Sequence, residues 1–271
     1  MNRKYIYPLV IILVTVALYY SDDFFGENDA STPKVLNTIE TNSKEFDDSF
    51  LPTSTTGAVV KHNFFTLSYS EENEQAEWVA YELKPAHLSK NEFERPYFIE
   101  DNSVKTKSAD WRNYKNSGFN RGHLCPAADR KFSVEAFNET FLTSNISPQD
   151  HDFNSGIWNR LEQKVRFWAE KYNGVYVVTG GVLKGNLKTI GEENVSVPNE
   201  FYKIIVDASD GNYKAVAFLI PNKPSSEPFY EYAVSIDEIE EKTGIDFFPN
   251  LPDSIENSLE KMVNLQAWGS R

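Results

Sequence analysis

The pattern of apolar and polar positions divides the chain into a short apolar start, a polar stretch and a long folded region. Runs of aromatic and β-branched residues predict strands at 64–69, 77–83, 141–146, 176–179, 201–206 and 214–220. Apolar residues at helical spacing predict helices over 133–138, from Asn154 to Gly174, and over 235–243. Strands and helices do not alternate regularly, which predicts an α+β fold: a central, mainly antiparallel sheet flanked by helices.

The amino-terminal segment, residues 1–20, is typical of a targeting element. Arg3 and Lys4 precede an uncharged run over 5–20, and Asp22 and Asp23 follow it. This charge order predicts that the amino end stays in the cytoplasm and that the rest of the chain crosses a membrane. The run is short for a spanning helix and long for a signal-peptide core. We therefore expect an uncleaved signal-anchor and a membrane-anchored, extracytoplasmic domain; the alternative is a cleaved signal peptide and a secreted or periplasmic enzyme.

An acidic polar stretch separates this segment from the folded region. Between residues 22 and 50 there are eight acidic residues and two lysines, among many Ser, Thr and Asn residues. Such a composition predicts an acidic flexible tether over 21–57. The remaining residues, 58–271, are then expected to form the catalytic domain.

The charge distribution limits the kind of nucleic-acid interaction that is expected. The net charge of −13 argues against a tight binder, which is normally basic overall. Residues 103–135 nevertheless contain seven basic and three acidic residues. A local basic site on an acidic protein suits an enzyme that must release a polyanion. The single cysteine, Cys125, excludes an intramolecular disulfide and a structural zinc site.

The most specific chemistry lies in residues 120–123, Asn-Arg-Gly-His, taken together with Asn154 and Glu162. The neutral imidazole of His123, with an ordinary pKa of about 6.5, can take a proton from water near pH 7. Arg121 offers a phosphate clamp, and Asn154 offers an oxygen to a metal ion. These are the groups that hydrolysis of a phosphodiester requires.

Three segments around these residues, 118–129, 144–149 and 153–162, closely resemble the DNA/RNA non-specific endonuclease family, whose relatives include mitochondrial endonuclease G. The resemblance continues through 178–182 and 217–222 and covers roughly residue 64 to the carboxyl end. It implies a ββα-metal (His-Me finger) active site, in which a strand carries the histidine and a helix carries the metal ligand. It also implies a metal-dependent endonuclease that hydrolyses DNA and RNA with little sequence specificity.

The resemblance implies a role for each matching residue. His123 would be the general base, and Asn154 would hold Mg²⁺, with Mn²⁺ possible. Arg95 matches an upstream arginine that contacts phosphate, and Asn145 would position the site's backbone or His123. Glu162 lies eight residues after Asn154, about 12 Å along a helix, too far for both to bind one ion directly. Glu162 would instead bond a metal-bound water or orient a neighbouring group.

Simpler interpretations stay open at several of these positions. Asn154 is also a favoured helix N-cap, a role compatible with metal binding. Glu162 can pair with Arg166 one helical turn later. Arg121 can form a structural ion pair, and Cys125 is expected to be a buried packing residue rather than a nucleophile.

One departure from the family and two further hypotheses complete the expectations. The family usually has aspartate at position 120, so the neutral Asn120 is expected to weaken or retune activity. A catalytically silent surface module that binds nucleic acid, and a phosphodiesterase for small substrates, are the alternative functions. The expected partners are DNA and RNA as substrates, a membrane through residues 1–20, and a second copy of the chain, since dimers occur in relatives.

Overall fold

The centre of the fold is a seven-stranded sheet in which every neighbouring pair of strands is antiparallel. The structure, a computed structural model, describes residues 48–211, 213–261 and 263–269. In spatial order the strands are β1 (Val59–Lys61), β2 (Thr66–Ser70), β3 (Gln75–Leu83), β6 (Val175–Gly181), β9 (Glu200–Asp207), β10 (Lys214–Pro221) and β11 (Ala233–Val234). The predicted α+β class with a mainly antiparallel central sheet is confirmed.

Two short ribbons and a set of helices surround this sheet. The ribbons pair β4 (Asn120–His123) with β5 (Ile146–Gln149), and β7 (Lys188–Ile190) with β8 (Val195–Val197). The helices are α1 (Val134–Glu139), α2 (His151–Phe153), α3 (Asn159–Lys171), α4 (Ile236–Thr243) and α5 (Asp253–Lys261). A π-helical turn, Asn154–Trp158, joins α2 to α3.

The sheet is buried on both faces, which explains its many apolar and aromatic residues. Successive side chains of a strand point to opposite faces. Val177 and Ile205 therefore pack in one apolar cluster with Trp168 of α3. Val178 and Ile204 pack in a second cluster, which α4 and α5 cover. Helix α3 thus lies on one face of the sheet, and the two carboxyl-terminal helices lie on the other.

The strand predicted over 141–146 is wrong. Residues Thr143–Asn145 form a 3₁₀ turn, and strand β5 begins only at Ile146. The turn allows the Asn145 carbonyl to accept a hydrogen bond from the Leu124 amide, at 2.9 Å. Pro148 lies within β5, a position that a two-stranded ribbon tolerates because proline needs no ladder hydrogen bond there.

The segment just before residue 58 also differs from its expectation. Phe50 is 2% exposed, and its ring stacks on Tyr176 with centroids 4.0 Å apart. The Thr53 amide donates a hydrogen bond to the Asp246 carbonyl at 2.8 Å. Residues 48–57, which the composition assigned to the tether, therefore pack on the folded domain. Phe50 belongs to the apolar cluster on that face of the sheet. Residues 1–47, with the predicted 1–20 segment and the rest of the tether, lie outside the described residues.

Candidate active site

The candidate site is built on two antiparallel strands followed by a helix. Strand β4 pairs with β5 so that His123 faces Ile146 at one end. Helix α2 begins two residues after β5, at His151. Between the strands, a side chain at Gly122 would place its Cβ 2.1 Å from Gln149 Oε1, so the ribbon requires glycine there. The strand–strand–helix order that the resemblance implies is therefore present.

His123 lies among aromatic rings at the end of β4. Its ring centroid is 5.0 Å from that of Phe141, nearly perpendicular, and 5.6 Å from that of Phe98. Its Nε2 atom is buried and makes no hydrogen bond to the described residues. Burial, followed by the positive charge of Arg95, lowers the pKa of His123 to about 3. The ring is therefore neutral near pH 7, the protonation state that a general base needs.

Two guanidinium groups lie beside this histidine. The Cζ atom of Arg121 is 4.9 Å from the centre of the Phe98 ring, and that of Arg95 is 5.5 Å from it. Arg95 is exposed and Arg121 is half-buried. Neither forms an ion pair within the described part of the chain, so the structural ion pair considered for Arg121 is absent there. Unpaired guanidinium groups next to a neutral base suit the binding of a phosphate.

Asn154 opens the π-helical turn and is not the helix N-cap. The cap is Asp150, whose Oδ1 accepts hydrogen bonds from the amides of Asp152 and Phe153 at 2.9 and 3.1 Å. Single π-helical turns occur frequently at functional sites. The half-buried Asn154 side chain makes no hydrogen bond to any described residue and is thus available to a ligand.

The donor groups around Asn154 fit one kind of metal ion. Among the described residues, no group of three His, Cys, Asp or Glu side chains converges near this turn. An ion there would be held by the amide oxygen of Asn154 and by water. Mg²⁺ accepts this arrangement because it keeps most of its water shell and takes further oxygen ligands from substrate phosphates. The residues present therefore fit the ion that the resemblance implies.

Asn145 fixes the backbone directly after His123. Its Oδ1 accepts from the Cys125 amide at 2.8 Å, and its Nδ2 donates to the Cys125 and Thr140 carbonyls at 3.0 and 2.9 Å. The side chain is completely buried. The two bonds to Cys125 hold the backbone that follows His123, and the bond to Thr140 holds the turn before Asn145.

Glu162 belongs to a buried charged cluster between α3 and the sheet. Burial raises the pKa of Glu162, and the positive charge of Lys203 on β9 opposes that rise. Arg166 Nη1 lies 2.8 Å from Asp129 Oδ1, so its ion pair is with Asp129 rather than with Glu162. Lys203 is fully buried, and its Nζ has no hydrogen-bond partner among the described residues. Sequence analysis did not identify Lys203. The sequence indicates it only by placing a lysine within an otherwise mostly apolar strand.

A buried contact between a histidine and an aspartate supports the turn that carries Asn145. His62 Nε2 lies 2.9 Å from Asp101 Oδ2, and Ser144 Oγ donates to the same oxygen at 2.6 Å. Sequence analysis could not connect His62 with this turn, because its partners are far away along the chain. Ser144 directly precedes Asn145, so the contact between His62 and Asp101 also holds the turn that contains Asn145.

Two further positions of the motif have defined surroundings. Asn120, where the family usually has aspartate, has its Nδ2 atom 3.2 Å from His151 Nδ1. This contact links the start of β4 to the start of α2. Cys125 is completely buried, and burial raises the pKa of its thiol to about 12. A thiol in this state packs as an apolar residue and does not act as a nucleophile.

Comparison with known proteins identifies the family. The family model of the DNA/RNA non-specific endonucleases matches residues 42–254. The chain belongs to this family. Mitochondrial nuclease EXOG of zebrafish is 36% identical over 202 residues, which are 68% of this chain and 59% of the relative. Human mitochondrial endonuclease G is 34% identical over 205 residues, 69% of this chain and 68% of the relative. The chain thus spans less than two thirds of the zebrafish protein.

A solved structure shares the fold. The crystal structure of a complex between EndoG and EndoGI, which addresses the inhibition of EndoG, superposes with a TM-score of 0.68 at 29% identity. The match covers 73% of this chain and 88% of that chain. The sheet and the ββα unit described above are therefore the endonuclease fold.

The expected location is wrong. We expected a membrane-anchored or secreted enzyme with an extracytoplasmic domain, whereas the zebrafish and human relatives are mitochondrial nucleases. Within residues 48–211, 213–261 and 263–269, no helix is both long and apolar enough to cross a membrane. The apolar run from which the anchor was inferred lies outside these ranges.

Proposed function

We propose that this chain is a metal-dependent endonuclease that hydrolyses phosphodiester bonds of DNA and RNA with little sequence specificity. The observation that carries the proposal is the arrangement of Arg95 and Arg121, which form no ion pair among the described residues, near the neutral His123. The Nε2 atom of His123 has no hydrogen-bond partner among the described residues. Family membership supports the same activity. No helix-turn-helix or zinc-finger signature that would favour base readout occurs in the sequence.

In the proposed reaction, His123 takes a proton from the water molecule that attacks phosphorus. Arg95 and Arg121 bind the non-bridging oxygens, which orients the phosphate and offsets its charge. A Mg²⁺ ion, or Mn²⁺, held by the Asn154 amide oxygen would neutralise charge that develops on the phosphate and on the leaving 3′ oxygen. Asn145 holds the backbone after His123 in place, through its bonds to Cys125.

Glu162 has an indirect role in this proposal. It shares its buried cluster with Arg166, Lys203 and Asp129, and from helix α3 its carboxyl group orients these neighbours. A homodimer stays a prediction, which light scattering of the purified chain would test.

The test uses supercoiled plasmid and structured RNA, with Mg²⁺ or with EDTA. The protein should begin near residue 44, because residues 48–57 pack on the sheet. We expect Mg²⁺-dependent nicking of both substrates, lost in His123→Ala and kept in His87→Ala, whose histidine packs against Phe132.

Two outcomes would replace the proposal with another function. Retention of plasmid without cleavage would indicate the silent binding module. Cleavage of small phosphodiesters without nicking of plasmid would indicate the small-substrate phosphodiesterase.

A further inference from the structure

A second cluster of charge lies on the opposite face of the sheet, between α4, α5 and the loop that joins them. Oxygen atoms of Asp237, Glu240 and Glu260 lie within 4.8 Å of one another, and so do those of Asp246, Glu256 and Glu260. Glu260 belongs to both groups. Five carboxylates, named below the carboxylate cluster, therefore form two groups of three that share Glu260.

The carboxylate cluster lacks the cations that usually accompany such groups. Among the described residues, none of its members forms an ion pair. The nearest lysines along the chain bind elsewhere: Lys242 pairs with Glu200 at 2.7 Å, and Lys261 donates to Asn257 at 3.1 Å. The negative charge of the cluster is therefore not neutralised by a described side chain.

Glu260 provides an independent sign that a ligand belongs here. It is only 9% exposed, and its Oε1 atom is buried with no hydrogen-bond partner among the described residues. A buried, unpartnered carboxylate oxygen among like charges is strongly unfavourable unless a cation or a proton joins it.

We propose that the carboxylate cluster is a Ca²⁺-binding site, separate from the catalytic site. Ca²⁺ takes six to eight oxygen ligands in irregular geometry, whereas Mg²⁺ requires an octahedral shell that keeps several water molecules. The cluster offers only oxygen donors from five acidic side chains, without the nitrogen or sulfur that zinc and copper prefer. The oxygen donors, and the presence of several carboxylates within reach of Glu260, therefore favour Ca²⁺.

The bound ion would join the two carboxyl-terminal helices. Asp237 and Glu240 lie on α4, while Glu256 and Glu260 lie on α5. Both helices cover the second apolar cluster of the sheet, to which they contribute Ile239 and Leu259. Ca²⁺ that binds only the folded chain would therefore raise its stability, while the catalytic residues lie elsewhere.

The test measures Ca²⁺ binding to the full-length chain by calorimetry, and thermal unfolding with Ca²⁺ or with EDTA. We expect Ca²⁺ to raise the unfolding temperature of the wild type, and Mg²⁺ at the same concentration to do so less. Glu260→Gln should weaken Ca²⁺ affinity at least about tenfold, since affinity depends on ligand charge. Without Ca²⁺, this variant should unfold at a higher temperature than the wild type because repulsion is relieved.

Two further variants make the test decisive. Asp246→Asn, on the joining loop, should also weaken Ca²⁺ binding, whereas Asn154→Ala should leave it unchanged. The proposal is overturned if the wild type binds no Ca²⁺, or if Glu260→Gln and Asp246→Asn bind it as tightly as the wild type. Loss of binding in Asn154→Ala would also overturn it, because the ion would then lie at the catalytic site.

Discussion

The candidate active site and the carboxylate cluster contain unpaired charges of opposite sign. At the candidate active site, Arg95 and Arg121 lie against Phe98 without carboxylate partners among the described residues. In the cluster, Glu240 and Glu260 lie among other acids without a described basic partner. Charge of one sign that has no partner attracts ligands of the opposite sign, so each region indicates a different ligand: a polyanion at one, a cation at the other.

The buried cluster beneath α3 differs from both regions, because there charges of both signs lie together. Asp129 pairs with Arg166, and Glu162 lies near Lys203. The opposite charges of this cluster offset one another. They lie beneath the helix that follows the π-helical turn at Asn154.

The largest expected effect comes from removing the general base. His123→Ala should slow cleavage by about 10²- to 10⁴-fold, the usual contribution of general base catalysis. Initial rates of plasmid nicking measure this, and thermal unfolding should show a folded protein because Nε2 lacks a described partner. A folded variant that cleaves at the wild-type rate would remove His123 from the mechanism.

Loss of the metal ligand should have the next largest effect. Asn154→Ala should lower the rate about 100-fold and raise the Mg²⁺ concentration that is needed for half-maximal activity. Rates measured over a Mg²⁺ titration test this, with Asn257→Ala, an exposed position of helix α5, as the control. An unchanged Mg²⁺ requirement would contradict the assignment.

Loss of the support beneath His123 should reduce stability. Asn145→Ala breaks three buried hydrogen bonds and leaves backbone groups of Cys125 and Thr140 unpaired. The free energy of unfolding should fall by about 2–5 kcal/mol. Urea denaturation measures this. A loss no greater than that of the exposed control Asn257→Ala would show that these bonds do not hold the strand end.

Replacing the buried Lys203 should shift the pH dependence of activity. Lys203 opposes the rise in the pKa of Glu162, so Lys203→Met should raise that pKa further. If ionised Glu162 supports catalysis, activity at pH 7 should fall about tenfold and recover at higher pH. A pH–rate profile tests this, with Lys242→Met as a surface control; an unshifted profile would exclude this role for the carboxylate.

A smaller effect is expected at the phosphate contacts. Arg121→Ala and Arg95→Ala should each weaken substrate binding, and each should lower the slope of log affinity against log salt by about one. The measurement is a salt titration of plasmid binding to the His123→Ala variant, which prevents cleavage. An unchanged slope in both variants would place the substrate away from Phe98.

The last effect is absent at neutral pH, develops as the pH falls, and follows from the state of His123. Its folded pKa of about 3 lies below its ordinary value of 6.5, so the unfolded chain binds a proton first as the pH falls. Stability from this group is therefore present above about pH 6.5 and is lost progressively between about 6.5 and 3. Unfolding of the wild type and His123→Ala over this range tests it, and parallel curves would contradict it.

Residues that lie close together along the chain were the ones that the sequence predicted well. The histidine strand, the following strand and the helix all lie within 120–171, so motif and spacing indicated their order. The 3₁₀ turn within 141–146 was not predicted. It places Asn145 so that its side chain binds the Cys125 backbone, and composition does not reveal this contact. The π-helical turn at Asn154 was likewise predicted only as a helix start.

Contacts between distant segments could not be predicted from one sequence. Lys203 reaches the site from a strand of the central sheet, and His62 supports the Asn145 turn through Asp101. Phe98, which contacts both guanidinium groups, lies in a stretch without regular periodicity. These positions depend on sheet order and on side-chain packing, which local patterns do not encode.

The most direct test of the catalytic account is a crystal structure of the His123→Ala variant with a short DNA duplex and Mn²⁺, whose anomalous signal locates the ion. The account predicts an ion bound to the Asn154 side chain and a phosphate in contact with Arg95 and Arg121. An ion and a phosphate bound together at any other place on the molecule would contradict it.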